Sequence, residues 1–507
     1  MSTIKMTQHF ETTDDNIGAR TRTAAGWQLL SRGINTTLKM ATSIVLARLL
    51  MPDDFGIIAM ATMVTGLGVV FRDLGLGQAL VQRDVISDRH IRAAFWGTLT
   101  MAVLLYAAIY FSAPWVSSLF HEPRMIPVIR VIGFVFLLSP LAVVPRSLLQ
   151  RGLDFRTQFF AGLASSLAYG AVGITMALLG YGYWALVWAS LAGGAANTLS
   201  MCILTRYVPP AIPSFDGVHD LLDFGIGVTG VAIGHYIASQ IDYFMIGRRL
   251  DADALGLYTR AYAFVTYPAV LAGTVSPVFF PAFSRMQNDH DRMRSAYGRL
   301  TALMSTVFFP LLAIAVISAP ELIPTVFGEQ WTPAVLPSQI LIVIGLCKIA
   351  ASGADAVIKA AGRVYAEAWI QMLYGVLIGV GAWFAAPHGI VAVAIAVACA
   401  NVIHYTLIGH LVWSAIGFGI MDYGTAFRGP ILTTLATATV GLLCRWAAIS
   451  SDYTPLSTLL LTIGPAALVA YVLTVKLRLP EMKEAVAEIN TFSRRGLSLV
   501  RRLGSGW

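Results

Sequence analysis

Charged residues are scarce in this sequence. Of its 507 residues only 12% are Asp, Glu, Lys or Arg, whereas 57% are hydrophobic. Soluble globular domains carry about 25% charged residues, so the composition excludes an ordinary water-soluble domain. The net charge of +8 would suggest a nucleic-acid partner in a soluble protein. No nucleic-acid partner is expected here, because the basic residues concentrate in short segments between apolar runs.

Cysteines and cofactor motifs are also scarce. The cysteines show neither the Cys-x-x-Cys nor the Cys/His spacing of a metal site or a disulfide framework. They lie inside apolar runs and are interpreted as small packing residues. The phosphate-binding pattern Gly-x-x-x-x-Gly-Lys-Ser/Thr is missing, so direct use of ATP is not expected. The sequence therefore predicts no metal, no cofactor and no catalytic residue. The four cysteines are Cys202, Cys347, Cys399 and Cys444.

The sequence is instead rich in apolar runs of about 20 residues, the length that crosses a bilayer as a helix. Backbone groups in lipid must be hydrogen-bonded within the protein, and a barrel would show strands of about 10 residues with alternating polarity. The expected fold class is therefore an all-α membrane protein with about 14 transmembrane helices. The predicted spans are 24–47, 55–80, 93–113, 126–147, 158–179, 183–205, 221–247, 255–283, 299–319, 335–358, 366–386, 389–413, 427–449 and 456–475.

The basic residues between the spans predict the orientation. With a cytoplasmic N-terminus, the inside loops hold thirteen Lys and Arg residues and the outside loops four, as the positive-inside rule requires. Residues 1–23 lack the pattern of a signal peptide and are predicted to form a cytoplasmic tail. Residues 476–507 form a basic tail on the same side. Apolar residues at helical spacing near 482–492 fit either a helix lying on an anionic leaflet or a disordered tail.

An internal repeat appears at an offset of 200 residues. Leu50, Asp53 and Gly56 recur as Leu250, Asp253 and Gly256, each time after a helix with a polar stripe. Six predicted spans separate the two copies, and an even number preserves topology. We therefore expect two parallel six-helix lobes, 24–205 and 221–413, with a substrate site between them. A Pro-rich linker, 206–220, joins the lobes, and two further helices occupy 427–475.

Ionisable residues inside the spans are the candidate site residues, because such groups are costly in lipid and usually face a cavity or a partner. Arg and Lys predominate, which favours an anion such as a phosphate or diphosphate. The candidates for substrate binding are Arg32, Asn35, Lys39, Arg72, Arg130, Arg260 and Lys348. The candidates for coupling protons or cations are His235, Asp242 and Asp355.

Simpler structural interpretations exist for several of these residues. Arg72 is adjacent to Asp73 and could form a local ion pair. Arg260 lies near the outer end of its span and could extend to the interface. His235 could be a packing histidine; it is included because Ser239 and Asp242 continue the same helical stripe.

Five short motifs, in order over roughly residues 20–450, are shared with a known family. The motifs are 50–56, 73–81, 151–156, 255–262 and 281–285, together with the first span from Trp27 to Leu50. They resemble polysaccharide flippases of the O-antigen, colanic-acid and succinoglycan type. This family belongs to the multidrug, oligosaccharidyl-lipid and polysaccharide exporter superfamily.

The resemblance implies a protein of the bacterial inner membrane with two six-helix lobes around a central cavity. Its implied substrate is an oligosaccharide repeat unit on undecaprenyl diphosphate, which moves from the cytoplasmic to the periplasmic leaflet for exopolysaccharide, O-antigen or capsule synthesis. The resemblance also implies alternating access, coupled to a proton or a sodium ion. The expected partners are this lipid-linked substrate, membrane lipids, and a polysaccharide polymerase with its co-polymerase.

Alternative functions make different demands on the same residues. A multidrug exporter handles mainly cations, which the cationic spans disfavour. The substrate of a lipid II exporter carries the same diphosphate-polyprenyl group, so this function remains an alternative. A polyprenyl-dependent glycosyltransferase would use acidic residues such as Asp53 and Asp54, but their recurrence at Asp253 is typical of helix N-capping. An enzyme is therefore not expected. A non-transporting scaffold would leave the ionisable residues within the spans unexplained.

Overall fold

A computed structural model describes residues 17–72, 76–82, 86–214, 218–273 and 276–476. Within these ranges every regular element is a helix and no strand occurs, which confirms the all-α class. Asp73 and the basic tail at 477–507, with its candidate amphipathic helix, lie outside the described residues. The side chain of Arg72 also lies outside them.

The contacts between residues divide the chain into two compact units, Met1–Gly256 and Leu257–Trp507. The first unit contains ten helices among its described residues. These are α1 (Ile17–Leu49), α2 (Pro52–Arg72), α3 (Leu76–Gln82), α4 (Asp88–Phe120), α5 (Met125–Gly133), α6 (Val135–Leu138), α7 (Pro140–Arg151), α8 (Phe155–Leu178), α9 (Tyr183–Thr205) and α10 (Val218–Arg249).

Helix α11 (Ala252–Gly273) begins in the first unit and continues into the second. Short 3₁₀ helices at Glu329–Ala334 and Ala386–His388 precede α14 and follow α16. The remaining helices are α12 (Ser276–Arg285), α13 (His290–Phe327), α14 (Val335–Ala350), α15 (Ala354–Ala360), α16 (Val364–Ala385), α17 (Ile390–Ile416), α18 (Ile420–Ser450) and α19 (Pro455–Lys476).

Among the described residues, ten helical segments are long and apolar enough to cross a membrane, and a bent pair could add an eleventh. Every predicted span overlaps one or more of the helices, but the count of fourteen stays a prediction. Helices α1 and α10, which carry the polar stripes, are not among the ten. The predicted lobes and linker also stay predictions; the division of the chain into two units falls between Gly256 and Leu257.

The predicted span 126–147 is bent rather than straight. Helices α5 and α6 meet α7 at an angle of 46°, at the junction of Ser139 and Pro140. Proline has no N–H to donate, and its ring crowds the preceding turn, so the helix changes direction there. The predicted span 335–358 is also interrupted, because α14 ends at Ala350 and α15 starts at Ala354. Gly353 lies in this break with a φ of +89°, which favours glycine.

Caps at the starts of α2 and α11 correct one detail of the sequence analysis. The carboxylate of Asp54 accepts from the backbone N–H of Met51 at 3.0 Å, and that of Asp251 accepts from Ala254 at 2.8 Å. Asp53, for which capping was predicted, instead receives two hydrogen bonds from Arg124 at 2.6 and 2.9 Å. Asp53 and Asp54 therefore differ in role, and Asp251 caps the start of α11.

The same two helix starts pack against each other through the glycines of the repeat. A Cβ atom on Gly56 would overlap the carbonyl oxygen of Ala252, and a Cβ atom on Gly256 would overlap the carbonyl oxygen of Pro52. Glycine permits such a close approach of two backbones because it has no side chain. The repeat found in the sequence thus corresponds to a reciprocal contact between equivalent helix turns.

In the second unit, α13 packs against α14, α18 and α19. An ion pair inside this bundle joins α13 to α18, since Arg445 Nη2 lies 2.8 Å from Glu321 Oε1. The two side chains are 28% and 13% exposed. The two charges neutralise each other inside the protein, whereas each of them would be costly if its helix faced lipid alone.

Candidate functional site

The predicted stripe on α1 divides into an exposed part and a packed part. Arg32 and Lys39 are exposed. Asn35 is half-buried and accepts a hydrogen bond from Ser166 of α8 at 2.9 Å, while it donates to the Ser31 carbonyl at 2.9 Å. Arg32 and Lys39 therefore have the accessibility that a ligand requires, whereas Asn35 contributes to the packing of α1 against α8.

The predicted stripe on α10 divides in the same way. His235 and Ser239 are exposed, but Asp242 is only 5% exposed. Its carboxylate accepts from the N–H of Tyr243 at 3.0 Å. A turn earlier, Tyr236 donates to the Met63 carbonyl at 2.7 Å and ties α10 to α2. Asp242 is thus the buried acid of this stripe.

The break between α14 and α15 separates residues that the sequence placed on one continuous helix. Lys348 lies on α14 and is exposed, while Asp355 lies on α15 and pairs with Lys359 at 2.7 Å. Lys348 and Asp355 therefore lie on two successive helices rather than on one. Discontinuous helices are common at the binding sites of transporters.

Glu367, which the sequence analysis did not select, lies beside Asp355. It is half-buried on α16, and its carboxyl group lies close to that of Asp355. Two neighbouring carboxyl groups repel each other when both are ionised, and this repulsion is relieved when they share one proton. Its position just inside the predicted span 366–386, where acidic residues are rare, was the signal that could have found it.

A second polar group within the spans lies between α16 and α17. The ring of the buried His404 stacks on Tyr374 with centroids 4.4 Å apart, and Tyr374 donates to Asn401 at 3.2 Å. The sequence analysis missed these residues because it followed stripes of charge, and none of the three is a permanent charge. The signal for His404 and Asn401 was their place within the predicted span 389–413.

Two of the remaining cationic candidates lie in packed surroundings. The Arg130 guanidinium lies 4.3 Å from the centroid of the Tyr110 ring, and its Nε donates to the Tyr110 carbonyl at 3.4 Å. A cation over an aromatic face is stabilised by the ring, so Arg130 joins α5 to α4. Arg260 is half-buried on α11.

The loop between α4 and α5 carries a small ion-pair network. Arg124 contacts Glu122 at 2.7 Å and Asp53 at 2.6 Å. Its guanidinium holds the pKa of Glu122 below the ordinary value of 4.5 through their hydrogen bond. Arg124 is 44% exposed, so the network contributes little free energy and serves mainly to position the start of α2.

These helices define a multi-pass membrane protein with a transporter fold. The fold is similar to that of the lipid II flippase MurJ in an inward closed conformation, with a TM-score of 0.69, 15% identity, and coverage of 89% of this chain and 99% of MurJ. It is also similar to an inward-facing multidrug resistance transporter of the MOP superfamily, with a TM-score of 0.60, 15% identity, and coverage of 80% and 99%. The predicted fold class is thereby confirmed.

The sequence comparisons identify the family. A family described as polysaccharide biosynthesis protein matches residues 45–336, more than half of the chain, and the chain belongs to it. The teichuronic acid biosynthesis protein TuaB of Bacillus subtilis (strain 168) is 26% identical over 75% of this chain and 79% of that protein. The lipopolysaccharide biosynthesis protein WzxC of Escherichia coli (strain K12) is 24% identical over 68% and 71%. The family resemblance seen in the motifs is confirmed.

Proposed function

We propose that this protein is a flippase that moves undecaprenyl-diphosphate-linked oligosaccharide repeat units across the bacterial inner membrane for polysaccharide synthesis. The observation that carries the proposal is a chain of the polysaccharide biosynthesis family folded as a transporter of the MOP superfamily. The direction of movement is from the cytoplasmic to the periplasmic leaflet. Both termini are cytoplasmic in this proposal, in line with thirteen basic residues in the inside loops against four outside.

The exposed cations of α1 bind the diphosphate in this proposal. Arg32 and Lys39 are seven residues apart, which is two helical turns and hence one face. Arg presents a planar set of donors that matches phosphate oxygens, and Lys adds a compact charge. The lipid tail stays in the bilayer while the head group meets this face. Lys348 offers a further exposed cation in the second unit.

The direct test is to delete the gene and measure whether labelled repeat units accumulate on the cytoplasmic leaflet. We expect wild type to relieve the accumulation, and Arg32→Ala, Lys39→Ala and Asp242→Ala to relieve it poorly at equal expression. Thr37→Ala is the matched control, because Thr37 is exposed on the same helix and bonds only its own helix at Gly33 among the described residues. Shortened lipid-linked intermediates after deletion would indicate a glycosyltransferase instead.

We further propose that transport is coupled to protons through Asp355 and Glu367. In this proposal the two carboxyl groups share one proton, and Lys359, which lies 2.7 Å from Asp355, stabilises the remaining negative charge. Loss of that proton leaves two negative charges and one positive charge in contact. A change of this size at the break before α15 alters the balance between conformations. Asp242 is a further acid for the same role and, unlike this pair, it is buried.

Proteoliposomes with an imposed pH gradient test this coupling. In wild type we expect the gradient to raise the initial rate of transport of a labelled polyprenyl-diphosphate oligosaccharide. In Asp355→Asn and Glu367→Gln the rate with the gradient should fall to the rate without it. Each variant replaces one carboxyl group of the pair by an amide, which cannot take up or release the shared proton. Glu329→Gln is the control, because Glu329 is exposed in a short 3₁₀ helix away from α15. A gradient response preserved in both variants would contradict the assignment.

A further inference from the structure

The C-terminal end of α10 packs closely against α2 and α4 within the first unit. The ring of Phe244 meets the ring of Phe120 edge to face, with centroids 5.5 Å apart. A Cβ atom on Gly247 would lie 3.2 Å from the Phe120 ring and 3.3 Å from Met60 of α2. Because the sequence analysis placed α4 and α10 in different lobes, this packing joins the two predicted lobes at one end.

A hydrogen bond between two side chains also joins α4 to α10 at this end. The Nη1 atom of Arg248, on the last turn of α10, lies 2.9 Å from Nδ1 and 3.4 Å from Nε2 of His121. His121 follows the last residue of α4 and ends that helix with a φ of +55°. In the proposed orientation this end faces the periplasm, because α4 and α10 form the third and seventh predicted spans.

The direction of the hydrogen bond requires a neutral His121. A guanidinium has donors only, so the ring nitrogen that accepts from Arg248 must supply a lone pair. A protonated imidazole carries a hydrogen on both nitrogens, so it cannot accept, and it would face the guanidinium with like charge. Histidine is the side chain whose charge changes between about pH 5 and about pH 8. The contact is therefore one that acid can break.

Several other charged groups lie at the same end of the helices. Glu122 and Asp53 both bind Arg124, and Asp251 accepts from the backbone N–H of Ala254. In the part of the chain that the structure describes, none of the carboxylates here is hydrogen-bonded to His121, whose side-chain partner is a cation. The charged groups on this end of the elements around α4 are Asp53, Asp54, Glu122, Arg124, Arg248, Arg249, Asp251 and Asp253.

We propose that the His121–Arg248 contact is a proton-sensitive latch on the periplasmic side of the protein, and that protonation of His121 loosens the attachment of α10 to α4. The latch rests on the proposed transport function, in which this end must open to release the head group. The proton binds from the periplasm and returns to it, so it shifts the balance between two conformations and is not carried across the membrane. This separates the latch from the proposed coupling through Asp355 and Glu367.

The expected effect is moderate, because the contact is accessible to water. His121 is exposed and Arg248 is half-buried, so solvent weakens the repulsion between the two cations. The packing of Phe120 against Phe244 does not depend on charge and persists. Protonation removes one hydrogen bond to a charged group, which should raise the ratio of separated to joined helix ends roughly fivefold to tenfold.

Spin labels on the two helix ends can measure this separation. Ser118 is exposed on the last turn of α4, and Asp253 is exposed on the first turn of α11, which follows α10 directly. Both are changed to cysteine in the full-length protein, with the four native cysteines replaced by serine, and the labelled protein is placed in lipid nanodiscs. Double electron–electron resonance should show mainly one short distance at about pH 8 and a growing population of longer distances at about pH 5.

Substitutions of His121 predict opposite results. In His121→Asn the amide oxygen can accept from Arg248 at any pH, and asparagine tolerates the left-handed backbone, so the short distance should persist in acid. His121→Lys carries a positive charge at both pH values and should show the longer distances already at about pH 8. Should that variant fail to fold, Arg248→Gln removes the opposing cation and should abolish the response to acid.

His410→Gln is the matched control. His410 is an exposed histidine near the end of α17, where its ring lies 5.3 Å from that of Trp413. This variant should keep the full response of the wild type, since it removes a histidine that does not contact α4 or α10 among the described residues. A response lost in His410→Gln would place the acid-sensitive group outside the latch.

Two further results would overturn the latch. One is a wild-type distance distribution that is the same at both pH values, and the other is a response in His121→Asn as large as that of the wild type. The distances are measured without substrate, so they are independent of the transport assay. A latch that responds to acid, in a protein whose deletion causes no accumulation of lipid-linked units, would contradict the proposed function and leave the latch in place.

Discussion

An alanine at Gly56 or at Gly256 should remove most of the transport activity, whereas an alanine at Gly33 should leave it intact. Each of the first two positions faces a backbone carbonyl across the contact between α2 and α11, and an added Cβ would overlap that oxygen. A flexible side chain could rotate away, but a carbonyl moves only with its helix. The two helix starts must therefore separate.

The size of this effect follows from overpacking. An extra methyl group in a well-packed interior typically costs about 1–3 kcal/mol, and a clash with backbone lies at the upper end. Gly33 is also within a helix, but a Cβ atom added there would have no neighbour within 4 Å among the described residues. Alanine at this position should be neutral or stabilising by up to about 1 kcal/mol, since glycine weakens a helix interior.

The measurements are complementation of the deletion strain and thermal unfolding of each variant in the same detergent. We expect Gly56→Ala and Gly256→Ala to complement poorly and to unfold at lower temperature than Gly33→Ala. Because the contact is reciprocal, the double variant should lose less than the sum of the two single losses. Wild-type complementation and stability in both single variants would show that the helix starts do not need this close approach.

Replacing Arg445 by leucine should destabilise the second unit more than replacing Arg428 by leucine. Arg445 pairs with Glu321 inside the bundle of α13 and α18. Removal of one partner leaves the other charge unpaired in a site of low polarity, which typically costs about 3–5 kcal/mol for a buried pair. The partial exposure of both side chains places the expected loss near the lower limit. Arg428 is exposed on the same helix.

A double-mutant cycle isolates the interaction. Arg445→Leu and Glu321→Leu should each lower the unfolding temperature strongly, and the double variant should recover much of the loss because no unpaired charge remains. Arg428→Leu controls for the loss of an arginine from α18. Additive losses in the double variant would mean that the two side chains act independently, and that the pair is not a source of stability.

The transmembrane class and the repeat could be predicted from the sequence because each depends on residues within a single segment of the chain. Each spanning helix must satisfy its own backbone and bury about 20 apolar residues, so hydropathy locates the segments without knowledge of their neighbours. The repeat likewise required only the recurrence of Leu50, Asp53 and Gly56. The bend at Pro140 and the break at Gly353 were harder to predict, since proline and glycine also occur inside continuous membrane helices.

The candidate site depended more strongly on the tertiary structure. A helical stripe shows that Arg32, Asn35 and Lys39 lie near one side of α1, but not which neighbour covers part of that side. Ser166 of α8 contacts Asn35, whereas Arg32 and Lys39 stay exposed. The Asp355–Glu367 pair was equally hidden, because its members come from different helices and a carboxyl pair exists only where packing brings them together.

The sequence by itself determined that this protein is helical, lies in a membrane and repeats one helix-start motif, since hydropathy and local motifs act within single segments. Only the tertiary structure decided that Gly56 and Gly256 meet across two helices, that Asp54 rather than Asp53 caps α2, and that Glu367 joins Asp355. The physical reason is that hydrogen bonds, ion pairs and close contacts between segments depend on atomic distances, which no pattern along the chain contains.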